Sequence, residues 1–376
     1  MVFTSVVEEI DSSDTFSESR LAWEALSSGA HHSPFLAWPW IAAWVETLPP
    51  GVRLYQVSLF REAELVAKAL FARQRIRRNY IFLSKSFALH DYLFSGCNLM
   101  IEYNDVLTKQ PSPALFGEVI KSLASRLSWD EIYLSGVGQS CIPVIDTIAG
   151  ELACVKRVLG HSVARYVDLN TIRSRNLNVL ASLSKKTRYK MRRYLNAVKA
   201  NGEISISAPE TPAQTQAYLT ELIELHQAYW QSKGDRGVFD SSIAESFHRK
   251  LVDYACISGG VQLLKVRCGA RTLGLVYSLV KDDNVYMIQS GYNYAEFRDS
   301  HPGYLCLLKV IQYNLDKEYL RFDFLSGDSQ YKKSFSNAEE NLYWLVLQRK
   351  KIKFRLESML RSVRRRFLDL SDDVSF

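Results

Sequence analysis

Between residues 261 and 293 three apolar-rich segments, VQLLKVRC, RTLGLVYSLV and NVYMIQSGYN, are separated only by short turns at Gly269–Ala270 and Asp282–Asp283. Segments this close leave no room for a crossover helix, so they predict an antiparallel meander. The chain then runs through a loop, YAEFRDSHPG, and predicts a helix over 303–317, a strand at YLRFDFL and a last strand at NLYWLVLQ.

The first half has the same grammar. An aromatic helix pattern at 33–48 carries Trp40, Ala43/Trp44 and Thr47/Leu48 at helical spacing. Two strands follow within 53–76 around a polar turn at 61–64, then a helix near 113–127 and a strand at DEIYLSG. A helix over 143–159 ending at Gly160 and a strand at SVARYVDL complete the unit. The second half opens with a helix over 176–200 that stops at Asn201–Gly202. A strand at EISISAPE, a helix started by Thr211–Pro212 and a helix over 241–257 lead into the meander. The fold class is α/β (α+β), in two units, 1–170 and 171–348, followed by a basic segment, 349–376. The halves share element order without obvious residue identity, so internal duplication is an expectation of moderate weight.

Charge is local. The net +7 is more than covered by residues 349–366, where nine Lys/Arg stand against one Glu. A second block, KKTRYKMRRYLNAVK at 185–199, has seven basic residues and no acid. Two such blocks point to an anionic partner or ligand. Arg188 and Arg192, one helical turn apart, could together clamp a phosphate or carboxylate of a substrate. The apolar stripe Ile352, Leu356, Met359/Leu360, Val363, Phe367 and Leu370 makes the C-terminal segment an amphipathic basic helix, suited to an anionic membrane surface or to packing on the domain. Six scattered Cys and seven His show no metal-ligand spacing, so no metal is expected. The cysteines read as reduced residues of a cytoplasmic protein, and neither a signal peptide nor an apolar run of about 18 residues is visible.

The chemistry concentrates late in the chain. Pro302 and Gly303 suit a helix start whose free N–H groups attract an anion, with His301 and Tyr304 beside it and Arg298 able to add a bidentate contact to a pyrophosphate. In LRFDFLSGDSQYKKSF (320–335), Asp323 stands between two phenylalanines, so it faces away from them, toward a cleft, as a general base or an ammonium anchor. A structural carboxylate, or a partner for Lys332, is the alternative. Lys332 is placed near the cleft mouth, able to bind a phosphate or sugar acid. His226 lies on the apolar side of its helix, where a boundary histidine is the simplest reading.

Four stretches, FLAWPWIAAWVETL, LSKKTRYKMRRYLNAV, ELHQAYWQSKGDRGVF and GYNYAEFRDSHPGYLCLLKVIQYNL…RFDFLSGDSQYKKSF, resemble the CelD-like acetyltransferase family of the GNAT superfamily, related to the FemAB peptidyltransferases. The resemblance covers about 30–345 and implies two tandem GNAT-like domains, each a mixed, mostly antiparallel sheet flanked by helices, with acyl-CoA as co-substrate in the second. It implies an N- or O-acyltransferase, acting on a sugar or amino-sugar precursor of an exported polysaccharide. By the same resemblance the strand end at Gln289–Gly291 offers backbone N–H groups to the thioester carbonyl. Tyr292 or Tyr294 is the acid for the leaving thiolate, Tyr292 being placed at the catalytic centre and Tyr294 at the substrate, and His226 becomes a second candidate base. No R-x-x-G-x-G/A loop is present, so a FemAB-like transfer from aminoacyl-tRNA stands as the alternative. A non-catalytic binder of anionic polymer or membrane is the third reading.

Overall fold

The computed structural model describes residues 3–11, 13–78, 82–93, 101–357 and 359. The first half comprises β1 (Thr4–Ile10), α1 (Ser13–Ser27), α2 (Trp38–Glu46), β2 (Arg53–Arg61), β3 (Glu64–Arg78), β4 (Phe82–Leu89), β5 (Leu107–Thr108), α3 (Pro113–Arg126), β6 (Glu131–Gly138), α4 (Ile142–Glu151) and β7 (Cys154–Asp168). The second comprises α5 (Leu169–Ser174), α6 (Val179–Ser182), α7 (Lys185–Val198), β8 (Ile204–Ser207), α8 (Pro212–Ser232), α9 (Ser242–Ser258), β9 (Val261–Cys268), β10 (Arg271–Lys281) and β11 (Asn284–Tyr292). It ends with α10 (Tyr294–Phe297), α11 (Pro302–Asp316), β12 (Arg321–Ser326), α12 (Gln330–Phe335) and β13 (Ala338–Arg349).

All strands but β5 lie in one path, β1-β2-β3-β4-β6-β13-β7-β12-β11-β10-β9-β8. Read from either end, the pattern is the same. Four antiparallel strands lead to a parallel neighbour, β4 with β6 in one half and β11 with β12 in the other. The final strand of each half is exchanged: β7 pairs with β12, and β13 pairs with β6. The duplication that the residues hid is therefore plain in the connectivity. The exchange also joins the halves through the long β7–β13 ladder, from Ala338↔Tyr166 to Arg349↔Cys154.

The halves share apolar packing as well. Trp23, Trp40 and Trp44 from α1 and α2 lie in one buried cluster with Leu222, Phe247 and Leu251 from α8 and α9, and the Trp40 ring meets Phe247 edge-on at 4.8 Å. Aromatic burial on this scale is a large stabilising term. On the outer faces α3 and α4 cover the first-half strands, while α7 and α11 cover the second.

Two expected helices are corrected. The helix over 143–159 stops at Glu151, and Cys154–Gly160 is strand, because those residues pair with β13. Its exposed Val155 and Val158 mimic a helical stripe, and only the distant partner decides the outcome. The helix over 176–200 is two: Leu183 is extended, and Ser184 caps α7 by accepting from the Thr187 amide. Of the C-terminal segment, residues 352–357 are helical and residues 360–376 lie outside the described residues.

Candidate active site

β11 and β12 are held together over three residue pairs only, Asn284↔Arg321 to Tyr286↔Asp323. Beyond them the strands part, and the elements around the opening explain why. β11 carries a bulge at Ile288, opposite Tyr277 and Ser278 of β10, which bends a strand and re-aims its backbone. β12 turns at Leu325, which has φ 62°, a left-handed conformation that a leucine holds only when its surroundings enforce it. The enforcing group is Asp323, whose Oδ1 accepts from the Leu325 amide at 2.7 Å.

Asp323 is fully buried, and its other oxygen is also taken. Oδ2 accepts from Tyr103 Oη at 2.8 Å and from Arg321 Nη2 at 2.5 Å. The Arg321 guanidinium lies 3.6 Å from the centroid of the Tyr166 ring and also reaches Glu340 at 2.9 Å. Burial pushes the Asp323 pKa up, opposed by Arg321, Tyr103 and the Leu325 amide. As expected from strand alternation, Asp323 faces away from Phe322 and Phe324, but what it faces is this cluster. With both oxygens engaged, the geometry makes it the anchor of the bent strand.

Lys332 is corrected: it does not stand at a cleft mouth. It is 8% exposed, and its Nζ donates to the carbonyls of Leu325 and Ser326, satisfying the turned backbone. Opposite, Glu102 from the first half accepts from both Ser326 N and Ser326 Oγ at 2.7 Å. Burial raises Glu102 to about 7 from an ordinary 4.5. The folded chain thus keeps a proton that the unfolded chain releases. The stability from this group is whole below about pH 4.5 and is lost as the pH climbs through 7. Glu102→Gln is expected to flatten the stability curve across that window by roughly 2–3 kcal/mol, measured as urea midpoints against pH. Parallel curves for variant and parent would remove the assignment.

At the opening itself Gly291 lies against α8. A Cβ there would stand 2.4 Å from Leu222 O and 3.0 Å from Leu225 Cβ. Gly291→Ala must push a helix backbone aside, at an expected cost of about 1–3 kcal/mol, visible as a lower thermal midpoint. Tyr292 follows, its ring resting on the first turn of α11, where a Cβ on Gly303 would be 3.1 Å from it. No hydrogen bond of good geometry reaches the buried Tyr292 hydroxyl, and burial drives its pKa well above 10 against the opposing influence of Ser290. Tyr294, pushed up to about 12, stands 6.2 Å from the Tyr292 ring and 4.9 Å from Tyr229 of α8. Tyr331, from the first turn of α12, is also raised to about 12 by burial. Tyr331 and buried Cys306, which carry no local signal of a role in the sequence, also raise the Tyr292 pKa.

His226 also sits on α8. Its Nε2 accepts from Trp230 Nε1 at 3.0 Å, its Nδ1 meets Gln227 Oε1 at 3.1 Å, and burial lowers its pKa. Gln289 lies next to the bulge, paired with Tyr277. At the α11 start His301 has φ 51° and stacks on Tyr194 of α7 at 4.3 Å, Tyr304 packs near Phe335, and Arg298 stands exposed on the turn before. The basic helix is thus a neighbour of the α11 N-terminus. Arg188 and Arg192 do share a cavity of about 500 Å³, with Asn178, Leu180, Lys185 and Tyr189. Arg188 is partly committed, donating to Ala181 O at 2.7 Å. Among the described residues no group of three or more His, Cys, Asp or Glu could hold a metal, and no helix is long and apolar enough to cross a membrane.

Residues 185–333 match the family model described as an acetyltransferase (GNAT) domain. This stretch is a GNAT-type acetyltransferase domain. It contains the parted strands, the tyrosines and α11, and it makes the protein an acyltransferase. In overall fold the chain is similar to FemX (10% identity, TM-score 0.59, covering 93% of this chain and 99% of that one). It is also similar to L-PGS from Bacillus licheniformis (10%, 0.52, 92% and 95%). A third likeness is to the C-terminal domain of a putative lysylphosphatidylglycerol synthetase from Agrobacterium fabrum (10%, 0.51, 92% and 96%). At these identities the likeness concerns the fold. No curated protein matches the chain in sequence.

Proposed function

We propose that the protein is an acyl-CoA-dependent N- or O-acyltransferase with its donor site in the gap between β11 and β12. We assign it a sugar or amino-sugar acceptor of the polysaccharide-precursor class. The observation that carries the donor site is the parting of the strands after three pairs, with the buried Tyr292 at the end of β11. The acceptor class rests on the CelD-like resemblance. Acyl-CoA, when bound, supplies a thioester carbonyl and a thiolate leaving group. Backbone around the Ile288 bulge and Gln289 faces the carbonyl oxygen, where fixed amides stabilise developing negative charge. Tyr292, kept protonated by burial, gives its proton to the departing sulfur, whose basicity the same burial raises. His226, kept neutral, takes the acceptor's proton once the indole of Trp230, which is at the surface, turns away. Gly303 and Tyr304 at the start of α11 hold the pyrophosphate, with Arg298 and His301 beside them. Arg192 and Lys185 on α7 bind the remaining phosphate.

Calorimetry tests this. Acetyl-CoA is expected to bind at micromolar Kd, and Arg192→Glu to weaken it about tenfold, as expected for an ionic contact reversed in sign. No binding of acetyl-CoA or desulfo-CoA would end the proposal.

A donor carried on RNA is the second reading, favoured by the seven cations of the basic block and by Tyr189, which is 70% exposed on α7. Activity that ribonuclease abolishes, with binding that weakens steeply in salt, would select it.

A further inference from the structure

The duplication places a second gap in the first half, and there the outcome differs. β4 and β6 also pair over three residues, Ser86↔Glu131 to Ala88↔Tyr133, and then separate. The space beyond is filled by the chain itself. Asn104 forms a parallel bridge with Val137 of β6, and its amide donates to Gly136 O at 3.0 Å. Toward β4 its Nδ2 donates to Leu89 O at 2.9 Å, and its Oδ1 lies 3.0 Å from His90 Nδ1. Gly136, at φ 64°, allows the contact: a Cβ there would stand 2.3 Å from Ile101 O. The side chain of one asparagine thus does between β4 and β6 what a further short strand would do. The connections explain the difference. Residues 90–112 separate β4 from α3, enough chain to fold back into the gap, whereas residues 293–301 join β11 to α11 directly.

The filling segment also reaches across. Its Glu102 and Tyr103 leave the first half and make the contacts to Ser326 and Asp323 described above, both on the strand that bounds the second-half gap. Tyr103 Oη also accepts from Arg321 Nη2 at 2.7 Å.

We propose that Glu102 and Tyr103, carried by the segment that fills the first-half gap, are positioning residues for the second-half gap. The inference rests on the donor-site reading given above and adds what the first half contributes to it. The segment that fills the first-half gap thus braces the strand that bounds the second. Ser326 N and Leu325 N, the amides of the turned strand, are fixed from opposite sides by Glu102 and Asp323. A shift of that strand moves the wall against which the thioester is aligned, and misplacements of about 1 Å cost on the order of 10²-fold in rate.

Calorimetry of the full chain with acetyl-CoA is expected to saturate at one equivalent. Hydrogen exchange with acetyl-CoA bound should slow at 287–292 and 303–306, and stay unchanged at 86–92 and 131–137. Two equivalents, or slowing at 86–92, would show the first-half gap to be a donor site as well and overturn its role as a brace, while the acyltransferase reading stands. Absence of any binding removes that reading and this inference together. For the positioning role, Glu102→Ala is expected to lower kcat about tenfold or more with the acetyl-CoA Kd within about twofold of the parent. Glu102→Gln should restore most of the rate, since an amide oxygen still accepts from Ser326 N. Rates are compared at equal folded fraction, monitored by circular dichroism. An unchanged kcat in Glu102→Ala, or a Glu102→Gln as slow as the alanine variant, overturns the role.

Discussion

Asp323→Ala is expected to destabilise the protein by about 3–5 kcal/mol, lowering the urea midpoint without changing the slope. The substitution strips three donors of one acceptor. Arg321, with its side chain 17% exposed, keeps only Glu340 as a charged partner, while the Tyr103 hydroxyl and the Leu325 amide lose theirs inside the protein. A buried amide without an acceptor costs about 1–3 kcal/mol by itself, and here it belongs to a residue held at φ 62°. Asp323→Asn is gentler, because an amide oxygen still accepts from Leu325 N. The pair of variants separates two roles for this carboxylate. An anchor loses stability in both, graded by how many bonds survive. A proton acceptor loses turnover in Asp323→Asn at nearly full stability. A loss below about 1 kcal/mol in Asp323→Ala would contradict the anchor.

Tyr292→Phe is expected to do the reverse. Turnover should fall by about 10²-fold or more, the usual contribution of a placed proton donor. Stability should hold or rise by up to about 1 kcal/mol, because no hydrogen bond of good geometry reaches the buried hydroxyl and its removal relieves a desolvation cost. The combination is diagnostic. Few substitutions that damage an active site leave the fold stronger, and those that do identify a group kept for function against the interest of packing. Steady-state kinetics with acetyl-CoA beside a thermal melt would decide it. Full activity in a folded Tyr292→Phe would transfer the role to Tyr331 or Tyr294.

The residues themselves told a good deal. Turns too short for anything but hairpins dictated the meander β9–β11, and Thr211–Pro212 announced α8, with the Thr211 side chain accepting from the Gln214 amide. Alternation along RFDFLS turned Asp323 away from the phenylalanine core. These rest on local sterics and on the two periodicities, so a few neighbouring residues suffice. Cys154–Gly160 was misread because its strand character exists only through β13, which lies nearly two hundred residues away. Lys332 looked like a solvated lysine beside a turn, and only the carbonyls freed by the turned strand give its ammonium a reason to be inside.

The division between sequence and tertiary structure follows from range. Element order, the basic helix and the places where chain and chemistry coincide, from Gly291 through Gly303 to Asp323, are set by short-range preferences and were open to reading. Tertiary structure alone settled that the last strands are exchanged between the halves and that the first-half gap is filled by Asn104. It also brought Glu102 and Tyr103 more than two hundred residues along the chain to Ser326 and Asp323. Buried polar groups must find partners wherever the fold brings them, and no pattern in a linear chain records which distant residue that will be.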